Sequence, residues 1–118
     1  FHEESGYEAM KKILQCKDHP EAVFATSDLM ALGALRAIKE EGLSVPQDIQ
    51  IVGCDDIVAC RYSEPKLTTV KQDKEKFGKL SAYMLNDLIN GETQLKPVLI
   101  DSELMIRESC GTNRVDRR

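Results

Sequence analysis

The sequence predicts an α/β protein: a three-layer, open, mostly parallel sheet with helices on both faces. Two observations carry that expectation. The stretch from Ala22 to Asp56 reads strand, helix, strand, and its crossover is long enough for the right-handed connection that joins parallel neighbours. Both apolar strands also run straight into small polar or acidic residues, Ser27-Asp28 after the first and Cys54-Asp55-Asp56 after the second. Ligands of open α/β sheets bind in the crevice outside the carboxyl ends of the strands. Those polar groups are therefore where a small molecule is expected.

Taken in order, residues 4 to 16 read as a helix, with Tyr7, Met10 and Leu14 on one face. Lys17-Asp18-His19-Pro20 ends it, proline beyond a helix being a common stop. Ala22 to Thr26 reads as a short buried strand, and Ser27 or Asp28 can cap the helix that follows. That helix, 28 to 41, stops at Gly42, a residue suited to the left-handed conformation past a helix end. Ala31, Ala34, Leu35 and Ile38 form one apolar stripe, which Leu29, Met30 and Leu32 widen. A helix apolar over so much of its girth is usually covered on two sides, and the second cover could be another subunit.

The β-branched run from Ile49 to Gly53 reads as a strand, 57 to 62 as a short helix, 63 to 65 as a loop and Leu67 to Lys71 as a third strand. Asp73 then caps a long helix reaching about Asn90 and closed by Gly91. Phe77, Leu80, Met84, Leu85, Leu88 and Ile89 recur along it at three- and four-residue steps. Val98 to Arg107 reads as a last strand, and the polar, basic tail from Cys110 is expected to be disordered.

With 118 residues the chain can hold one core. Having no Trp and only three Phe and three Tyr, it must build that core from aliphatic residues. Its apolar runs are far too short to cross a bilayer. A net charge of -4 argues against this piece holding nucleic acid by itself, because that needs a basic surface. Cys16, Cys54, Cys60 and Cys110 are scattered without a Cys-x-x-Cys pair, so zinc has no spacing to support it, and the thiols read as reduced ones in a cytoplasmic protein. The first residues, Phe1-His2-Glu3-Glu4, show neither an initiator Met nor a basic, apolar leader, and the chain reads as a piece of something longer.

Asp55-Asp56 is the first candidate for chemistry. Paired acids at a strand end can hold magnesium, accept hydrogen bonds from the hydroxyls of a sugar or nucleoside, or simply be a helix cap and one solvated acid. A metal would need further acids at other strand ends, and Ser27-Asp28 supplies the only comparable one. The two histidines, His2 and His19, lie in the start and in a polar turn. No Gly-x-Ser-x-Gly elbow is present, and Gly53 stands alone after its strand. Neither an enzyme nor a cofactor or metal is expected. Phe1 is either an apolar residue left at the edge of the piece or an aromatic face for stacking on a ring.

As a set, the motifs resemble the effector-binding core of LacI/GalR-type transcriptional regulators. They are Ser27-Asp28, Met30-Ala31-Leu32-Gly33, Val45-Pro46-Gln47-Asp48, Val52-Gly53-Cys54-Asp55 and Leu67-Thr68-Thr69-Val70-Lys71-Gln72. Glu4-Ser5-Gly6-Tyr7-Glu8-Ala9-Met10 upstream and Ile106-Arg107-Glu108-Ser109 at the end are similar as well. The likeness runs in order over residues 1 to about 110.

That resemblance implies a periplasmic-binding-protein-like fold, in which two α/β lobes clamp a sugar or related metabolite. Residues 1–110 would be part of the effector-binding domain, mostly its C-terminal lobe. Helix 73–91 would belong to the other lobe, so that here it packs back on the sheet or pairs with a second chain. Residues 111–118 would form a disordered tail. Operator DNA would be read only by an N-terminal head outside this chain, and the whole would be a cytoplasmic homodimer with no membrane contact. Phe1 would pack on the effector ring, Ser27 would stand near its hydroxyls, Asp55 would accept its hydrogen bonds and Gln72 would sit at the hinge. Cys54, where the family usually has an aromatic, would loosen the pocket wall. A periplasmic sugar-binding protein of a transport system is the alternative of the same architecture.

Overall fold

The computed structural model describes residues 1–111. Among the described residues, three helices and four strands follow in the order α1 (Glu3–Leu14), β1 (Ala22–Phe24), α2 (Asp28–Glu40), β2 (Gln50–Cys54), β3 (Thr68–Gln72), α3 (Lys74–Ile89) and β4 (Ser102–Met105). A 3-10 turn, Val58–Arg61, follows β2. The sheet order is β1-β2-β3-β4, and the first three strands are parallel. β4 is antiparallel to β3, pairing Met105 with Thr69 and Ser102 with Gln72. The sheet is thus open and mixed.

The last strand is shorter than the sequence pattern predicts. Residues 98 to 101 belong to no strand, because β3 offers a partner only as far as Gln72. Of the expected tail, Gly111 is held, its amide donating to Gln50 Oε1 at 2.7 Å. The remainder, 112 to 118, lies outside the described residues.

Strand alternation sends Ile51 and Gly53 toward α2, where Met10, Ala31, Ala34, Leu35, Ile38, Ile49 and Leu67 close the core. α1 and α2 approach so closely that side chains would collide at two crossing points. A Cβ on Gly33 would lie 1.9 Å from the Glu3 carbonyl oxygen, and one on Gly6 would lie 2.1 Å from that of Met30. Around this contact Arg36 stacks over the Tyr7 ring at 3.9 Å and meets Glu3 and Glu4. The Tyr7 hydroxyl donates to Glu40 at 2.5 Å, which holds its proton on more tightly than usual.

The helical cover in this chain lies on one face. The opposite face carries Phe24 paired with Val52 and, two residues further along β3, Val70 paired with Leu104, and Phe24 and Leu104 are more than half exposed. α3 does not cover it: no residue of α3 is buried. Phe77, Leu85, Leu88 and Ile89 all stand in solvent. The radius of gyration, 17.9 Å, exceeds the value of about 13.5 Å for a compact chain of this length, as a projecting helix requires. Of the two expectations for this helix, packing back on the sheet is not realised.

Candidate functional site

Two strand ends build the site. After β1, Ser27 takes an extended conformation and its Oγ accepts the Met30 amide at 3.3 Å, capping α2. Asp28, the alternative cap, does something else. It is fully buried, and its carboxylate reaches across to the next strands. Oδ1 accepts the Thr69 hydroxyl at 2.6 Å, and Oδ2 accepts the Ile57 amide at 2.9 Å. Space for it comes from Gly53, where a Cβ would stand 2.3 Å from Asp28 Oδ1. Burial first, and Asp28 second, push the neighbouring Cys60 thiol up to about 12.

After β2 the backbone turns sharply through two consecutive non-glycine residues with positive φ, Asp55 at 123° and Asp56 at 55°. Such conformations cost about 1–3 kcal/mol each and persist where the surroundings over-determine them. Here three amides are fixed in succession: Asp55 to the Val70 carbonyl at 2.9 Å, Asp56 to Thr69 Oγ1 at 3.3 Å and Ile57 to Asp28. The Asp56 side chain pairs with Arg107 at 2.7 Å, both being nearly buried. Arg107 in turn donates to the Leu67 carbonyl at 2.9 Å.

Asp55 and Asp56 are therefore unlike each other. Asp56 is neither a cap nor a solvated acid, contrary to the plain reading of the pair; a guanidinium 51 positions away takes it up. Asp55 is half-buried, and no side-chain hydrogen bond engages its carboxylate among the described residues. It lines a cleft of about 620 Å³ together with Asp56, Arg61, Lys71, Gln72, Asp101 and Ser102. Gln72 donates to Cys54 Sγ at 3.3 Å, so the residues ending β2 and β3 are tied together behind the cleft. A more apolar cavity of about 270 Å³ adjoins it beyond Gln72, between Phe77 and the 98–102 segment.

Of the four residues singled out in the sequence, Asp55 and Gln72 share this cleft. Ser27 is buried under its capping role, with a hydroxyl proton left to donate. Phe1 is 78% exposed ahead of α1 and lines no cavity with Asp55. Sequence reasoning missed Asp28, Thr69 and Arg107. The one local signal was an acid followed by a strongly apolar helix, and nothing near Asp28 in the chain pointed to its partners. As for metals, no group of three or more His, Cys, Asp or Glu converges among the described residues. No disulfide joins any of the four cysteines.

Residues 1–110 match the sequence profile of the periplasmic binding protein-like domain. The HTH-type transcriptional repressor PurR of Pasteurella multocida is 46% identical over 110 residues, 92% of this chain and 33% of that protein. A transcriptional regulator CelR–cellobiose complex superposes with a TM-score of 0.83 at 42% identity, over 92% of this chain and 34% of that one. The Lac repressor dimer bound to operator and the anti-inducer ONPF gives 0.83 at 36% identity, over 92% and 38%. The chain spans about a third of the length of the curated relatives it matches.

Proposed function

We propose, from the premise that this chain belongs to the periplasmic binding protein-like domain family in its LacI/GalR-type regulator branch, that it is the effector-sensing part of a DNA-binding transcriptional regulator. The observation that carries the reading is the Asp55 carboxylate, held on a strained turn at a strand end, lining a polar cleft and without a side-chain partner among the described residues. A carboxylate so placed accepts two hydroxyl hydrogens side by side, the geometry a sugar or ribose offers. Gln72 adds a hinge-side donor and acceptor. Ser27 and Phe1 are proposed to join only when the second lobe closes, since neither lines the cleft formed by this chain.

In the complete protein, an effector that fits one arrangement of lobes better than the other shifts that balance and so changes how the DNA-binding heads are spaced. A sugar is the proposed effector class, the complex of CelR with cellobiose being the supporting relative. Dimerisation is proposed through the outward residues of α2, where Leu29 is 45% exposed beside Leu32, and the setting is proposed to be cytoplasmic.

The test titrates cellobiose and a panel of mono- and disaccharides into the complete two-lobe protein by calorimetry. Asp55→Asn is the informative substitution, because alanine at this φ would add strain of its own. Affinity is expected to fall at least about tenfold with little change in melting temperature. Unchanged affinity would remove Asp55 from the site.

A further inference from the structure

The residues that fix the Asp55 turn come from three distant places in the chain. Asp28 opens α2, Thr69 lies on β3, and Arg107 follows β4. Together they meet the amides of Asp56 and Ile57 and the Asp56 carboxylate. None of the three lines the cleft with its side chain. We propose that Asp28, Thr69 and Arg107 are positioning residues for effector recognition, forming a buried clasp that holds the strained Asp55 turn with its carboxylate presented to the cleft. This rests on the reading of Asp55 as a ligand contact.

Stability alone is a poor account of such a clasp. Asp28 is fully buried, and its two oxygens are met by a hydroxyl and an amide, with no salt bridge to it among the described residues. Burying an acid in that way is expensive, and apolar groups of similar shape commonly stabilise a core as well or better. Geometry is what the acid supplies. Thr69 Oγ1 donates to Asp28 and accepts from the Asp56 amide, so a single hydroxyl links the buried acid to the turn. Arg107 closes the far side by pairing with the Asp56 carboxylate at the cleft's edge, which leaves Asp55 as the member of the pair with no ion-pair partner among the described residues. Two successive left-handed residues would otherwise relax to ordinary backbone and turn the carboxylate elsewhere.

Thr69→Val keeps the shape and removes the hydroxyl, while Thr69→Ser keeps the hydroxyl. In this chain, hydrogen exchange followed by NMR should show the amides of Asp56 and Ile57 opening about tenfold faster in Thr69→Val. The Ile38 and Ile51 amides should keep their protection, and Thr69→Ser should restore the wild-type pattern. In the complete protein, cellobiose, or the panel sugar that binds, should be held about tenfold more weakly by Thr69→Val. In an Asp55→Asn background the same change should add less than about twofold, because it acts through that residue. Uniform loss of protection across the core, unchanged exchange at the turn, or a full additive loss in the double variant would each overturn the proposal. If no sugar in the panel binds wild-type protein, the effector reading fails, and exchange at Asp56 and Ile57 alone decides whether the clasp holds the turn.

Discussion

Two parts of this chain carry similar apolar periodicity and have opposite fates. From α1 through β3, the stripe of α2 meets α1 on one side and β2 on the other, and Ala31, Ala37, Ile38 and Ile51 lose all exposure. From α3 onward, Phe77, Leu85, Leu88 and Ile89 repeat at helical spacing yet remain more than half exposed. α3 has its start capped by Asp73 and its end followed by Gly91 at φ 94°. Local sequence makes the helix; a partner surface makes it part of a core. Amphipathicity shows that a face needs cover and does not say which surface supplies it.

The largest effect should come from thinning the covered part. Ile38→Ala removes a fully buried side chain between α1, α2 and the sheet, and is expected to cost about 2–5 kcal/mol. Urea melts followed by circular dichroism will measure it. A value below about 1 kcal/mol would mean that this core is far looser than its contacts imply.

Gly33→Ala attacks the same half from the other direction, by overfilling. The added methyl would meet the Glu3 backbone, which cannot swing aside as a side-chain tip can. A loss of about 1–3 kcal/mol is expected, against the gain that alanine normally gives inside a helix. A stabilised variant would show that α1 can shift off α2 freely.

Cys60 gives a pH-dependent reading of the covered part. Its thiol is pushed up to about 12 by burial and by Asp28 beside it. For a group whose folded value is raised, the contribution is whole below the unfolded value near 9.0 and is lost as pH climbs from there toward 12. Wild-type stability should therefore decline over that window more than that of Cys60→Ala. At pH 8, exposed Cys16 should react with a thiol reagent at once, and Cys60 only as fast as the structure opens. Equal reactivity of the two would place Cys60 outside the core.

How much of this was legible in sequence follows the same division between local and distant causes. Ser27 as a cap, Gly42 after α2 and Asp73 before α3 act within a turn of themselves, and the elements they bound came out within a few residues of their expected ends. Asp28 could not be read. Its partners stand 29 and 41 positions on, and nothing near it in the chain announces them. The same holds for Asp56 and Arg107, so a pair that looked symmetrical on paper resolves, at one cleft, into an acid anchored by a guanidinium and an acid that is not. Residues 98–101 fail for a related reason. Alternation there is compatible with a strand, yet β3 ends before it could pair with them.

Leu85→Ala sets the lower bound of the comparison. Leu85 is 58% exposed on α3, so its truncation in this chain removes little buried surface, and alanine is the better helix former. The expected change is within about 0.5 kcal/mol, measured by the same urea melts at micromolar protein. In the complete two-lobe protein proposed above, the same substitution should cost several times more, because there the apolar face of α3 would have a surface to meet. A cost above about 1 kcal/mol in this chain alone would instead mean that a second copy already covers the helix. Sedimentation velocity would then show a dimer that weakens on dilution and in the Leu85→Ala variant. The site is served by either outcome, since Gln72 ends β3 directly before α3 begins. Whatever settles that helix also settles the far wall of the cleft that Asp55 faces.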